Sequence, residues 1–163
     1  MASVHDVAAA ILDKTGTIDT FKLQKLVYYS QAWHLVWASE PLFDEPIQAW
    51  AGGPVVPTLY ELHKGRYSVS SWPDGNTTRL TDSERATIDA VVLSYGKLSG
   101  RQLSELTHRE EPWRNARGSL DSGTRGSQVI EPGSIQNYYS GLDQDPEAVS
   151  VENLSEMDED APF

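Results

Sequence analysis

With 163 residues, 39% of them hydrophobic, the chain has the apolar content for one domain with its own core and gives no case for two. No run approaches the roughly 18 consecutive apolar residues of a membrane span, and MASVHDVAAAILDK lacks the basic n-region and apolar centre of a signal peptide. The absence of cysteine excludes disulfides, thiolate metal sites and a Cys nucleophile, so a cytoplasmic location is the default expectation.

The net charge of −11 is unevenly placed. Beyond Gly141 stand Asp143, Asp145, Glu147, Glu152, Glu156, Asp158, Glu159 and Asp160 with no Lys or Arg, leaving 13 basic against 16 acidic residues in the body. Residues 1–140 are therefore expected to form the folded domain, and 141–163 a flexible acidic tail that repels nucleic-acid phosphates. Val149, Val151, Leu154, Met157 and Phe163 interrupt the acids, a mixture that folds readily onto a basic surface.

Val4 to Lys14 reads as a first helix, with Val4, Val7, Ala8, Ile11 and Leu12 on one face and Thr15-Gly16 as its stop. A second helix is predicted over Thr20–Ala38, capped by Asp19 or Thr20. Leu23, Leu26, Val27, Trp33 and Trp37 make its stripe, which Tyr28, Tyr29, Leu35 and Val36 widen. A helix apolar around so much of its circumference belongs at the centre of a small domain.

Pro41 and Pro46 bracket an extended connection, and Ile47 to Ala51 alternates like a strand. At Gly53-Pro54-Val55-Val56-Pro57 a tight corner leads into a third helix to about Lys64, with Pro57 in its first turn. Tyr67 to Arg79 carries a Pro-Asp-Gly turn and β-formers, predicting a loose hairpin or loop. Thr81 and Glu84 have capping-box spacing for a helix to about Leu98, with Ile88, Val91, Val92 and Tyr95 inward. A further helix is expected from about Arg101 to Arg109, then, after Pro112-Trp113, a Gly- and Ser-containing loop to Gln128. A last short helix is placed at Pro132–Tyr139. The reading is mainly α: a single domain of about five or six helices with a small β element.

Chemically, Thr107-His108-Arg109-Glu110-Glu111 invites a general-base reading of His108 with a neighbouring carboxylate. The structural alternative, His108 and Thr107 at a helix end with Trp113 in the core, is preferred, because no nucleophile elbow accompanies them. His-Glu-x-x-His spacing, a P-loop and a dinucleotide fingerprint are all missing, so no catalytic residue, metal or cofactor is assigned. Arg101, Arg109, Arg114, Arg117 and Arg125 cluster but are diluted by Glu105, Glu110, Glu111 and Asp121, a thin basis for nucleic-acid binding. Trp50, Tyr60, Lys64, Arg66 and Trp72 combine aromatic and cationic residues, the composition of a protein-binding face, and are the candidate partner-binding residues.

Four blocks in order carry a resemblance. They are Lys22-Leu23-Gln24-Lys25-Leu26-Val27-Tyr28-Tyr29-Ser30-Gln31-Ala32-Trp33-His34, Pro41 to Trp50, Gly53-Pro54-Val55-Val56-Pro57-Thr58-Leu59-Tyr60, and Leu103 to His108 with Pro112-Trp113. Together they resemble the Panacea domain, the family of SocA-like and GepA-like antitoxins of phages and mobile elements, over roughly Ala10 to Tyr139. The resemblance implies a mainly helical, non-enzymatic antitoxin that binds and neutralises a cognate protein toxin encoded next to it, as a homo-oligomer or in a heterotetramer with the toxin. The toxin's class does not carry over, because members are paired with toxins of unrelated kinds. Alternative readings are a proteolytic adaptor delivering a toxin to a protease, a DNA-binding autoregulator, and a small hydrolase using His108 with Glu110 or Glu111.

Overall fold

The computed structural model describes residues 2–144 and Phe163. Ser3 opens α1 (Val4–Thr15): its hydroxyl accepts from the Asp6 N–H while the Asp6 carboxylate accepts from Ser3 N. The second Asp6 oxygen accepts from Asn76 N at 2.7 Å, fastening a distant loop to the same cap. Val4, Val7, Ala8, Ile11 and Leu12 all point inward, as their spacing predicts.

After the short strand β1 (Ile18–Asp19), Asp19 caps α2 (Thr20–Ala38), accepting from Lys22 N at 2.7 Å. From Thr20 to Leu35 every residue of α2 except Lys22 is buried. The helix runs through the middle of the domain, packed by α1 on one side and by elements from the later chain on the others. Trp37 corrects the predicted stripe: it is 49% exposed, because the last turn of α2 passes beyond its covering layer. Trp37 instead stacks on Trp33 with ring centroids 5.3 Å apart.

The extended segments are held by glutamines of α2. Gln31 accepts from Leu42 N and donates to Phe43 O, and Gln24 does the same for both backbone groups of Val56. Strands β2 (Gln48–Trp50) and β3 (Gly53–Val55) pair antiparallel, with Ala49 opposite Pro54. Instead of a simple alternation, Ala49 and Trp50 are both buried, since both faces of this hairpin are covered. Its outer edge is occupied too: Ala49 N donates to Gln128 O and Ile130 N to Ile47 O.

Helix α3 (Pro57–His63) follows, with Pro57 in its first turn. Of the two readings of Tyr67–Arg79, a loose hairpin or a loop, the segment takes the loop and forms no hairpin of its own. Strand β4 (Ser68–Val69) pairs with β1, Ile18 opposite Val69, and Thr77–Arg79 is a 3-10 turn. Helix α4 (Asp82–Tyr95) starts on the predicted Thr81–Glu84 capping box and ends three residues earlier than expected. Ser99 and Gln102 form another box, so α5 (Gly100–Arg109) begins at the predicted interruption.

Helix α6 (Glu111–Arg117) replaces the start of an expected loop. Pro112 falls in its first turn, where a missing N–H costs nothing. Trp113 donates to Trp50 O at 2.8 Å. Helix α7 (Pro132–Asp143) runs past the expected Tyr139 and through the boundary placed at residue 140, closing against α2. The expected tail, apart from Phe163 and the residues up to 144, lies outside the described residues. Among the described residues, seven α-helices and two two-stranded sheets give the mainly helical architecture the sequence predicts. No described helix is long and apolar enough to cross a membrane.

Candidate functional site

A cavity of about 520 Å³ opens where the first turn of α2, the face of α3 and the start of α5 converge. Phe21 comes from α2; Tyr60 and His63, one turn apart on α3, point the same way; Lys64, Arg66 and Arg101 stand at the mouth. Thr20 fixes this geometry, donating from its N–H to Tyr67 O at 2.8 Å and from its hydroxyl to Arg66 O at 3.0 Å. Gly100 permits the close approach of α5, because a Cβ there would lie 3.0 Å from the Phe21 ring and 3.1 Å from an Asp19 oxygen.

Beneath the cavity sits Lys25, wholly buried, donating to Pro54 O at 3.2 Å with its ammonium 4.1 Å from the Phe21 ring centroid. Gly53 lies against it with φ +127°. The His63 ring accepts at Nε2 from the Gln24 amide at 3.0 Å, which leaves its own proton on Nδ1. Burial, reinforced by Lys25, lowers His63 to about 4, so the ring is neutral near pH 7.

The structure brings Tyr60, Lys64 and Arg66 to this cavity and separates the two candidate tryptophans from the surface. Trp50 is buried: its ring packs edge-on against Tyr60 at 4.9 Å and donates to Gln48 Oε1. Trp72 is also buried, donating to His5 Nδ1 at 3.0 Å. Both therefore shape the site through packing. Arg125 crosses over the rings of Trp50 and Tyr60 at 4.3 and 5.3 Å, extending the cationic-aromatic surface.

Phe21 and Arg101, missed as candidates, share the cavity. Phe21 reads as one more apolar residue of a helix in sequence, and only the approach of α5 turns it into a wall. Arg117, counted in the basic cluster, is 5% exposed and donates to Ala49 O, Arg125 O and Asp121 O. It ties the loop after α6 to β2 and is not part of a surface patch.

His108 and Glu110 are engaged separately. His108 stacks on Trp113 at 3.9 Å, and burial, then Lys25 and Arg117, lowers it to about 4. Glu110 is buried at the end of α5, where one carboxyl oxygen accepts from Tyr29 at 2.7 Å and from Tyr139 at 2.6 Å. Tyr28 meets Tyr139 at 3.1 Å, and Tyr29 stacks on Tyr95, whose hydroxyl accepts from Trp33. Burial lifts the Glu110 carboxyl to about 7 against the opposing effect of its two hydroxyl partners. This aromatic-carboxyl network locks α2, α5 and α7 together. Among the described residues no group of three His, Asp or Glu side chains is arranged to hold a metal ion.

The family model described as "Antitoxin SocA-like, Panacea domain" matches residues 23–114, from the first turns of α2 into α6. Antitoxin SocA of Caulobacter vibrioides (strain NA1000 / CB15N) is 28% identical over 130 residues, an alignment covering 66% of this chain and 66% of that protein. The chain thus spans just under two thirds of the length of this relative. No solved structure matches. With more than half of its residues matched, including the cavity's walls from α3 and the start of α5, the chain belongs to the SocA-like antitoxin family defined by the Panacea domain.

Proposed function

We propose that this protein is a non-enzymatic antitoxin that neutralises the toxin encoded beside it by forming a direct complex. One observation carries the reading: the family match at residues 23–114 spans Tyr60, Lys64 and Arg66, which stand together on an accessible cavity with aromatic walls and a cationic rim. Aromatic and arginine side chains around a concave site are the composition of protein-binding hot spots. Trp50 and Trp72 serve the same face from below, Trp50 under Tyr60 and Trp72 against His63.

The His and Glu of the alternative catalytic reading are held apart by different neighbours, Glu110 by tyrosines and His108 by the Trp113 ring. Glu110 spends its hydrogen bonds on tyrosines, and His108 is a weak base at about 4. Co-expression with the neighbouring gene product tests the function. Restored growth at an unchanged toxin level is the expected result. Restored growth with accelerated toxin turnover would instead make the protein a proteolytic adaptor, and no restoration would overturn both.

A further inference from the structure

The ring of Phe163, the last residue of the sequence, lies in the cavity just described, at a distance in the chain from every element that builds it. It meets Phe21 edge-on with centroids 5.4 Å apart, Tyr60 at 5.4 Å and His63 at 5.5 Å. The buried Lys25 ammonium stands 5.6 Å from the same ring. Four side chains from α2 and α3 thus converge on one aromatic ring, three offering edge or tilted ring contacts and the fourth a cation over its face.

The mouth of the cavity matches the residues that precede Phe163. Lys64, Arg66 and Arg101 line it, and the Asp19 carboxylate is engaged as the α2 cap. The sequence from Asp145 to Asp160 holds seven acids and no base. Opposite charges around an aromatic anchor define both the pocket and the kind of peptide that fits it. Residues 145–162 have a contour of up to about 60 Å, ample to return from the end of α7 to the cavity.

We propose that this cavity is a binding site for an acidic peptide anchored by an aromatic side chain, and that the protein's own Phe163 occupies its anchor position. The contact is intramolecular, so the local concentration of the segment is on the order of millimolar and even a weak anchor keeps the site filled. Another chain that anchors at Tyr60 and His63 must first displace the Phe163 ring. The proposal concerns the site and its resident segment, and stands whether or not the partner is a toxin.

Nuclear magnetic resonance on the full chain tests it directly. With labelled aromatic rings, Phe163 is expected to give Overhauser contacts to Phe21 and Tyr60. Phe163→Ala should abolish them and shift the Tyr60 and His63 resonances while leaving the buried Tyr29 and Tyr139 signals in place. Phe163→Trp should restore the shifts. A synthetic peptide of residues 149–163 is then titrated into both proteins up to millimolar concentration. Saturable shifts of Tyr60 and His63 in Phe163→Ala, needing at least about tenfold more peptide in the wild type, are the expected result. Absent contacts, no peptide response in Phe163→Ala, or equal responses of the two proteins would overturn the proposal. A mixture of differently labelled molecules covers the remaining case, since contacts seen only between molecules would assign the site to a second copy and refute the intramolecular contact.

Discussion

Single residues decide how α2 can carry so many polar groups through the core. Gly53 lies against Lys25 with φ +127°, and a Cβ there would fall 2.6 Å from Lys25 Cε. Gly53→Ala is expected to lower stability by about 1–3 kcal/mol, from backbone strain together with displacement of a buried lysine. Urea denaturation measures it, and an unchanged midpoint would contradict the packing described. Glu110 makes a second prediction, this time in pH. Burial raises its carboxyl from 4.5 to about 7, so the folded protein keeps a proton that the unfolded chain has released. Its contribution is full below pH 4.5 and is lost as pH rises through 7. His63 and His108 act in the opposite sense: both are lowered from 6.5 to about 4, so their contribution is present above pH 6.5 and lost as pH falls toward 4. In the wild type these slopes oppose each other between pH 4.5 and 6.5. Glu110→Gln removes one of them, and its stability should rise more steeply with pH across that window. Parallel profiles for the two proteins would show that Glu110 titrates normally.

At the scale of elements, α2 replaces a missing sheet. Gln31 supplies an acceptor to Leu42 N and a donor to Phe43 O, and Gln24 repeats the arrangement at Val56, so extended chain is paired by side chains where no strand is available. Gln31→Leu would strand one donor and one acceptor beside the fully buried Leu42 and Phe43. A loss of about 2–4 kcal/mol is expected from these two unsatisfied groups, read as a lower urea midpoint. These elements were unequally legible in the sequence. Capping boxes at Thr81 and the periodicity of α1 and α2 mark helices locally, because cap and stripe lie within the element itself. The pairing of β1 with β4 could not be read, since two-residue strands carry no periodicity and their partner is remote in the chain. Helix α6 was hidden by Pro112, which marks a first turn as readily as a break. Trp37 follows the apolar stripe in register yet stands exposed, because periodicity gives the face of a helix but not where its cover ends.

At the scale of the whole molecule, the candidate site is a meeting of three helix ends, and that explains what the sequence disclosed of it. Tyr60, Lys64 and Arg66 are close in sequence, so composition alone points to them together. Phe21, Arg101 and Phe163 join them only through the tertiary fold. Trp50 and Trp72 share that composition but are drawn inside, where Trp50 supports Tyr60 and Trp72 reaches His5. The body of the protein thus presents a cationic-aromatic cavity, although the chain as a whole carries a net charge of −11. On the proposed function, complex formation through that cavity would make the rim charges decisive for partner capture and nearly irrelevant to folding, since Lys64 and Arg66 are exposed.

The most direct test is therefore co-purification of the full chain with the product of the adjacent gene, comparing the wild type with the double variant Lys64→Glu, Arg66→Glu. A stable complex for the wild type, weakened at least about tenfold in a doubly charge-reversed protein of unchanged thermal stability, is the predicted result. Protection of growth without a complex, or a complex indifferent to both charges, would contradict toxin capture at this cavity.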